Sequence, residues 1–176
     1  MRRLYGLLFY AIVTVCCVAQ TVSQSRAASA GSKDENWRLV GQSVIYGDAA
    51  TKVTVIGNSV LVPVTLVYRG NQADVQLLLD TGSSRTSIST ETADRLNINP
   101  TEGRKVRAQV VGGAVIEVRQ CRLTSVTVGP HTKKEADILI VQHNGPPVRY
   151  DGLLGMDLLR GLKYNIDFEK QIITWE

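Results

Sequence analysis

Val75-Gln76-Leu77-Leu78-Leu79-Asp80-Thr81-Gly82-Ser83-Ser84 is the stretch whose reading decides the fold. A short apolar run such as Leu77-Leu78-Leu79, bounded by turn residues, reads as a buried strand, and it delivers Asp80 to the strand's end. Gly82 lets the backbone turn sharply where a Cβ would obstruct close approach. A carboxylate placed in this way is held by the fold and is not a scattered surface charge. Asp and Gly are favoured in ordinary turns as well, and a tripeptide of this type arises by chance in a chain this long at about a few per cent. The reading therefore needs a second element.

Gly152-Leu153-Leu154-Gly155, running on into Met156-Asp157-Leu158-Leu159-Arg160, supplies it. Two leucines before a glycine usually mean core packing. Their weight comes from following Asp80-Thr81-Gly82 in order, inside strand-rich sequence. Together the two segments resemble the single-lobe, retropepsin-like aspartic proteases. In that family two apolar residues and a glycine pass close under the catalytic loop and lead into a short helix, which Asp157 to Arg160 would form.

The resemblance covers about Val60 to Trp175 and implies an all-β fold: a single-lobe closed β domain with one or two short helices and a flap hairpin. It also implies roles. Asp80, Thr81 and Gly82 would be catalytic, with Thr81 bracing a pair of loops across a dimer and Gly82 placing its N–H near the carboxylates. Ser83 would bond an outer oxygen of Asp80, and Gly112 and Gly113 would contact substrate at the flap. The 176 residues are enough for one domain and too few for two ordinary ones, and no second Asp-Thr/Ser-Gly occurs, since Asp151-Gly152 lacks the hydroxyl residue. One carboxylate per chain then requires a homodimer, with a polypeptide as substrate and no cofactor or metal.

The remaining pattern agrees with short strands broken by turns. Val60 to Tyr68 and Val75 to Leu79 flank Arg69-Gly70-Asn71-Gln72. Thr86 to Ser89 is a strand, and Thr90 to Leu96 a short helix capped by Ser89 and closed by Asn99-Pro100. Val106 to Val118 forms a hairpin around Gly112-Gly113. A three-residue loop, Gly112 to Ala114, puts Val106, Ala108 and Val110 on one side with Ile116 and Val118, whereas a two-residue loop mixes apolar and charged residues. Arg122 to Val128 and Ala136 to Val141 surround Gly129-Pro130-His131. Gln142 to Tyr150 is a loop, and Tyr164 to Phe168 with Ile172 to Trp175 form a terminal hairpin.

Upstream, Met1-Arg2-Arg3 precedes an apolar stretch from Leu4 to Val18 and a polar, small-residue segment from Gln20 to Ser32. This reads as a signal peptide over residues 1–30, cut after Ala30 or after Ala19; an uncleaved membrane anchor is the alternative, although about twenty apolar residues usually span a bilayer. The expected location is periplasmic or secreted. Residues 31–58, where Trp37, Val44-Ile45-Tyr46 and Val53-Thr54-Val55-Ile56 stand among small and charged residues, form an extension of unassigned role, part of it disordered and part an added strand, and residues 59–176 form the protease domain.

Of the 20 basic residues, Arg2, Arg3 and Arg26 belong to the leader, leaving 17 against 16 acidic ones. That balance gives no support to a nucleic-acid groove. Cys121 is the one cysteine outside the leader, read as a buried structural thiol. His131 and His143 sit in predicted turns without Cys or carboxylates at ligand spacing, which argues against a metal site. A serine nucleophile lacks its Gly-x-Ser-x-Gly elbow, and neither glycine cluster carries a phosphate-loop lysine. Two rivals use the same residues differently: a noncatalytic peptide-binding module on this fold, which would not need the Asp80 carboxylate, and a membrane-tethered structural protein, which rests only on Leu4 to Val18.

Overall fold

The computed structural model describes residues 15–16, 37–39, 49–99 and 101–176. Its elements run in chain order: β1 (Val15–Cys16), β2 (Trp37–Leu39), β3 (Ala49–Lys52), β4 (Thr54–Ile56), β5 (Ser59–Tyr68), β6 (Asn71–Leu79), β7 (Ser87–Ser89), α1 (Thr90–Arg95), β8 (Arg104–Val110), β9 (Val115–Val128), β10 (His131–Val141), β11 (Gly152–Leu154), α2 (Met156–Leu159), β12 (Tyr164–Asp167) and β13 (Ile172–Trp175). The expected all-β domain with two short helices is what forms.

A ring of strands encloses the core in the order β9-β10-β7-β11-β6-β5, and β5 returns to β9 to close it. Most neighbours are antiparallel, but β7 runs parallel to β10 and β11 parallel to β6. β11 therefore lies between β6 and β7, registered Leu153 to Leu78 and Leu153 to Ser87.

The triple leucine before Asp80 owes its continuous apolar character to cover on both faces. Leu77 and Leu154 point into the barrel core with Val62, Val64, Leu66, Ile88, Leu123 and Ile138. Leu78 and Leu153 point outward to a second cluster with Leu139, Ala108 and Val118. The outer cluster is the seat of the hairpin formed by β8 and β9, whose inner residues Val106, Ala108, Val110, Ile116 and Val118 rest on β6, β10 and β11. β9 is one unbroken strand that pairs with β10 and β5 in the barrel wall and then continues outward as the hairpin's second arm.

The hairpin corrects the expected turn by one residue. Val110 N–H donates to Ala114 O at 2.8 Å and Gly113 N–H to Val110 O at 3.0 Å, so the loop is Val111 to Gly113 and Ala108 faces Ile116. Gly112 and Gly113 both adopt positive φ, +96° and +84°, a region that L side chains avoid. Both must sit inside the turn, which leaves Ala114 to the arm. The partner shift is an even number of residues, so the apolar set stays on the inner face.

Elsewhere the strands are longer than the sequence pattern suggests. β6 begins at Asn71 because Tyr68 and Asn71 pair across a two-residue turn, and β10 begins at His131 because Val128 and His131 pair in the same manner. Ser89 caps α1 as expected, accepting from Thr92 N–H at 3.2 Å. α2 begins at Met156, one residue before the expected turn.

The domain also reaches upstream of residue 59. β4 pairs with β5, and β3 pairs with β13 in a small sheet with β12. Ile173 and Trp175 of that sheet enter the barrel core, and Trp175 Nε1 donates to Thr51 Oγ1 at 2.8 Å. The expected leader and its cleavage sites lie outside the described residues apart from Val15–Cys16, which pair with Val110 and Gln109 of β8. Val44 to Tyr46 also lie outside them. Among the described residues, no helix is long and apolar enough to cross a membrane.

Candidate active site

Asp80 follows the last residue of β6, and three bonds from backbone N–H groups fix its position. Asp80 N–H donates to Leu154 O at 3.0 Å, Ser83 N–H donates to Asp80 O at 3.2 Å, and Gly82 N–H donates to Asp80 Oδ1 at 2.9 Å. The other carboxylate oxygen, Oδ2, is buried and has no hydrogen-bond partner among the described residues. Thr81 and Gly82 are exposed beside it. A buried acceptor without a partner costs roughly 1–3 kcal/mol, and within one chain Asp80 Oδ2 carries that cost.

Ser83 is fully buried, and its hydroxyl donates to Arg85 O at 2.8 Å. It supports the loop from within. Gly112 and Gly113 occupy the exposed tip of the hairpin. The structure thus places Asp80, Thr81, Gly82 and Ser83 in one loop, with the two glycines on a separate element seated against Leu139 and Leu153. Leu153 immediately precedes the residue whose carbonyl holds Asp80.

The spacing of Gly152 and Gly155 has a steric origin. A Cβ on Gly152 would lie 2.0 Å from Ser87 O, and one on Gly155 would lie 2.5 Å from Arg85 C and 2.6 Å from Arg85 O. Here β11 and the start of α2 pass against the backbone that follows the Asp80 loop. Bonds stitch the crossing: Met156 N–H to Ser83 O at 2.8 Å, Gly155 N–H to Thr86 Oγ1 at 3.0 Å, and Thr86 N–H and Oγ1–H to Asp157 Oδ1, both at 2.7 Å. Burial pushes the Asp157 carboxyl above the usual carboxylate range, against the two Thr86 bonds and the Arg85 guanidinium, whose Nε lies 3.6 Å from Oδ2.

Asp151 anchors the other end of β11. Its carboxylate accepts from Gln76 N–H at 2.7 Å and from Arg95 Nη2 at 2.6 Å, and its carbonyl accepts from Ser89 N–H at 2.9 Å. Sequence reasoning did not single out Thr86, Asp151 or Asp157 as site residues. Asp157 had a signal: an acid inside the apolar run Leu153 to Leu159 needs buried partners.

Two surface cavities lie away from this loop. One of about 600 Å³ is lined by Thr51, Lys52, Thr65 and Asp74 among others, and one of about 410 Å³ by Tyr68, Glu102, Cys121 and Glu135 among others. Neither includes a residue of the Asp80 loop.

A family profile described as aspartyl protease matches residues 62–158. Among solved structures, a retropepsin-like aspartic protease from Rickettsia conorii superposes with a TM-score of 0.55 at 20% identity, covering 73% of this chain and 89% of that one. The EIAV protease, solved with the inhibitor HBY-793, gives a TM-score of 0.38 at 24% identity over 61% and 90% of the two chains. The retroviral protease-like domain of Ddi1 from Leishmania major gives 0.37 at 18% identity over 72% and 89%. Among curated proteins, none matches the sequence.

Proposed function

The chain belongs to the aspartyl protease family, and from that premise we propose that it is an endopeptidase working as a homodimer, with one Asp80 from each copy meeting at a twofold axis. The observation that carries the proposal is the unpartnered, buried Asp80 Oδ2 beside exposed Thr81 and Gly82. A single loop of this kind is half of a site, and an isologous dimer brings its own duplicate to face it.

Two carboxylates sharing such a site do not both ionise; one keeps a proton and the other acts as base, as in aspartic proteases generally. The ionised Asp80 removes a proton from a water held between the pair, and the water's oxygen attacks the scissile carbonyl carbon. The protonated Asp80 donates a hydrogen bond to the carbonyl oxygen. Collapse of the tetrahedral intermediate breaks the C–N bond as a carboxyl proton passes to the leaving amine. Gly82 N–H, bonded to Asp80 Oδ1, keeps the carboxylate plane fixed while its proton content changes. The β8–β9 hairpin serves as the flap, closing over an extended peptide that adds main-chain hydrogen bonds in the manner of a strand.

Cleavage of a mixed peptide library at mildly acidic pH tests this reading, with sedimentation of the same samples. The protein should cut and should sediment as a dimer, and Asp80→Asn should lose at least about a thousandfold in rate, the order expected when a catalytic group is removed. Equal cleavage by the two proteins, or full activity in a strictly monomeric sample, would overturn it. We also propose that residues 1–30 direct export, which cell fractionation of tagged protein tests: retention of full-length chain in the cytoplasm would refute it.

A further inference from the structure

We infer that Asp157 is a positioning residue for the catalytic loop, acting through the hydroxyl of Thr86 to fix the single peptide plane on which Asp80 hangs. The inference rests on the proteolytic reading for its consequence in catalysis, and on geometry alone for the clamp.

The Leu154–Gly155 peptide unit is bonded on both sides. Its carbonyl accepts from Asp80 N–H at 3.0 Å, and its N–H donates to Thr86 Oγ1 at 3.0 Å. The Thr86 hydroxyl has one proton and acceptor lone pairs. Its proton goes to Asp157 Oδ1 at 2.7 Å, which leaves a lone pair for Gly155 N–H. Asp157 Oδ1 also accepts Thr86 N–H at 2.7 Å, so the residue supplying the hydroxyl is held at two points. Thr86 is 1% exposed, and water has little access to replace either bond.

Charge reinforces the direction of this relay. Arg85 lies 3.6 Å from Asp157 Oδ2, and Lys133 Nζ donates to Asp157 O at 3.0 Å. An acceptor at position 157 therefore orients the hydroxyl, the hydroxyl orients the peptide plane, and the plane sets the height of Asp80. Without that acceptor the hydroxyl can rotate toward another group and the plane loses its partner. Asp157 touches no reacting atom in this scheme.

The test uses the full chain and three variants. Asp157→Leu removes the acceptor at similar size, Thr86→Val removes the hydroxyl at similar shape, and Asp157→Asn keeps an oxygen acceptor. Two measurements are made on each: kcat and KM on one peptide, and amide hydrogen exchange at Asp80 and Gly155 against Leu66 and Val126 in the barrel. Asp157→Leu and Thr86→Val should each lower kcat about 10- to 100-fold with KM changed less than about threefold, as misplacement of a reacting group does. Exchange at Asp80 and Gly155 should quicken at least about tenfold while Leu66 and Val126 stay protected, and Asp157→Asn should recover most of both losses.

Unchanged kcat in a folded Leu or Val variant overturns the inference. So does exchange that rises equally at all four amides, which would mark Asp157 as a contributor to global stability only. An Asn variant as impaired as Leu removes the acceptor's role. If the wild-type chain cleaves nothing, the proteolytic reading falls, and the exchange pattern still decides the clamp. Thr86→Val carries the test if Asp157→Leu does not fold.

Discussion

Gly155→Ala should damage the domain through sterics alone. The residue has φ −96° and ψ 177°, extended geometry that any L-residue adopts, so alanine brings no conformational penalty of its own. Its methyl, however, would lie 2.5 Å from Arg85 C, 2.6 Å from Arg85 O and 2.8 Å from Thr86 N. Ordinary carbon contacts need about 3.5–4.0 Å, so the two backbones must part by roughly an ångström. None of the three atoms belongs to a side chain that can rotate away. Overpacking of this kind costs about 1–3 kcal/mol, and the parting stretches the Gly155 to Thr86 and Met156 to Ser83 bonds at the same time. Displacement by about an ångström beside reacting groups lowers rates on the order of a hundredfold. Urea unfolding gives the stability change, and kcat measured on folded protein gives the catalytic one. A variant within 0.5 kcal/mol of wild type, roughly the error of such measurements, and within twofold in kcat would refute the crossing as a steric constraint.

Leu66 is fully buried in the barrel core, and Leu66→Ala should destabilise by about 2–5 kcal/mol; a loss below 1 kcal/mol in urea unfolding would contradict its central place. Burial holds the His131 imidazole below its ordinary value, with the ring edge-on to Trp175 at 5.5 Å. A depressed folded value means the unfolded chain binds the proton more readily, so the stability present above about pH 6.5 should fall as pH drops through the folded value; His131→Phe should flatten that limb of a thermal-melt series, and an unchanged slope would assign it elsewhere. Tyr68 is pushed up to about 12 by its hydroxyl bond to Glu102 and by burial. Its share of stability should persist to about pH 10 and disappear as pH climbs toward 12, whereas Tyr68→Phe should not show that loss; a phenolate signal near pH 10 that is present in folded wild type and missing from Tyr68→Phe, read as an ultraviolet difference titration, would speak against it.

How much of this could be read beforehand depended on sequence distance. The Asp80 loop and Leu153-Leu154-Gly155 were legible because burial on both faces writes a continuous apolar run, and because a backbone crossing demands glycine. The face of the flap hairpin was legible from alternation alone. Its exact loop was not, since moving the turn by one residue leaves the same side chains inward and the deciding information is φ at Gly112 and Gly113. Asn71 to Ala73 and His131 to Lys134 carry little apolar signal, and they become strand through pairing with Tyr68 to Leu66 and with Val128 to Ser125. Thr86, Asp151 and Asp157 act on partners dozens of residues away, as in the Thr86 to Asp157 bonds and the Gln76 to Asp151 bond. No local pattern records such partners.

The bond from Asp80 N–H to Leu154 O has a consequence for biogenesis. A ribosome delivers Asp80 long before Leu154, and β11 must slide in beside β6 before the loop acquires its tie. Parallel pairing between distant segments is slow because loop closure precedes its reward. During synthesis the Asp-Thr-Gly loop therefore exists before the peptide plane that holds it. The loop that starts at Asp80 is thus completed only when nearly the whole domain has emerged.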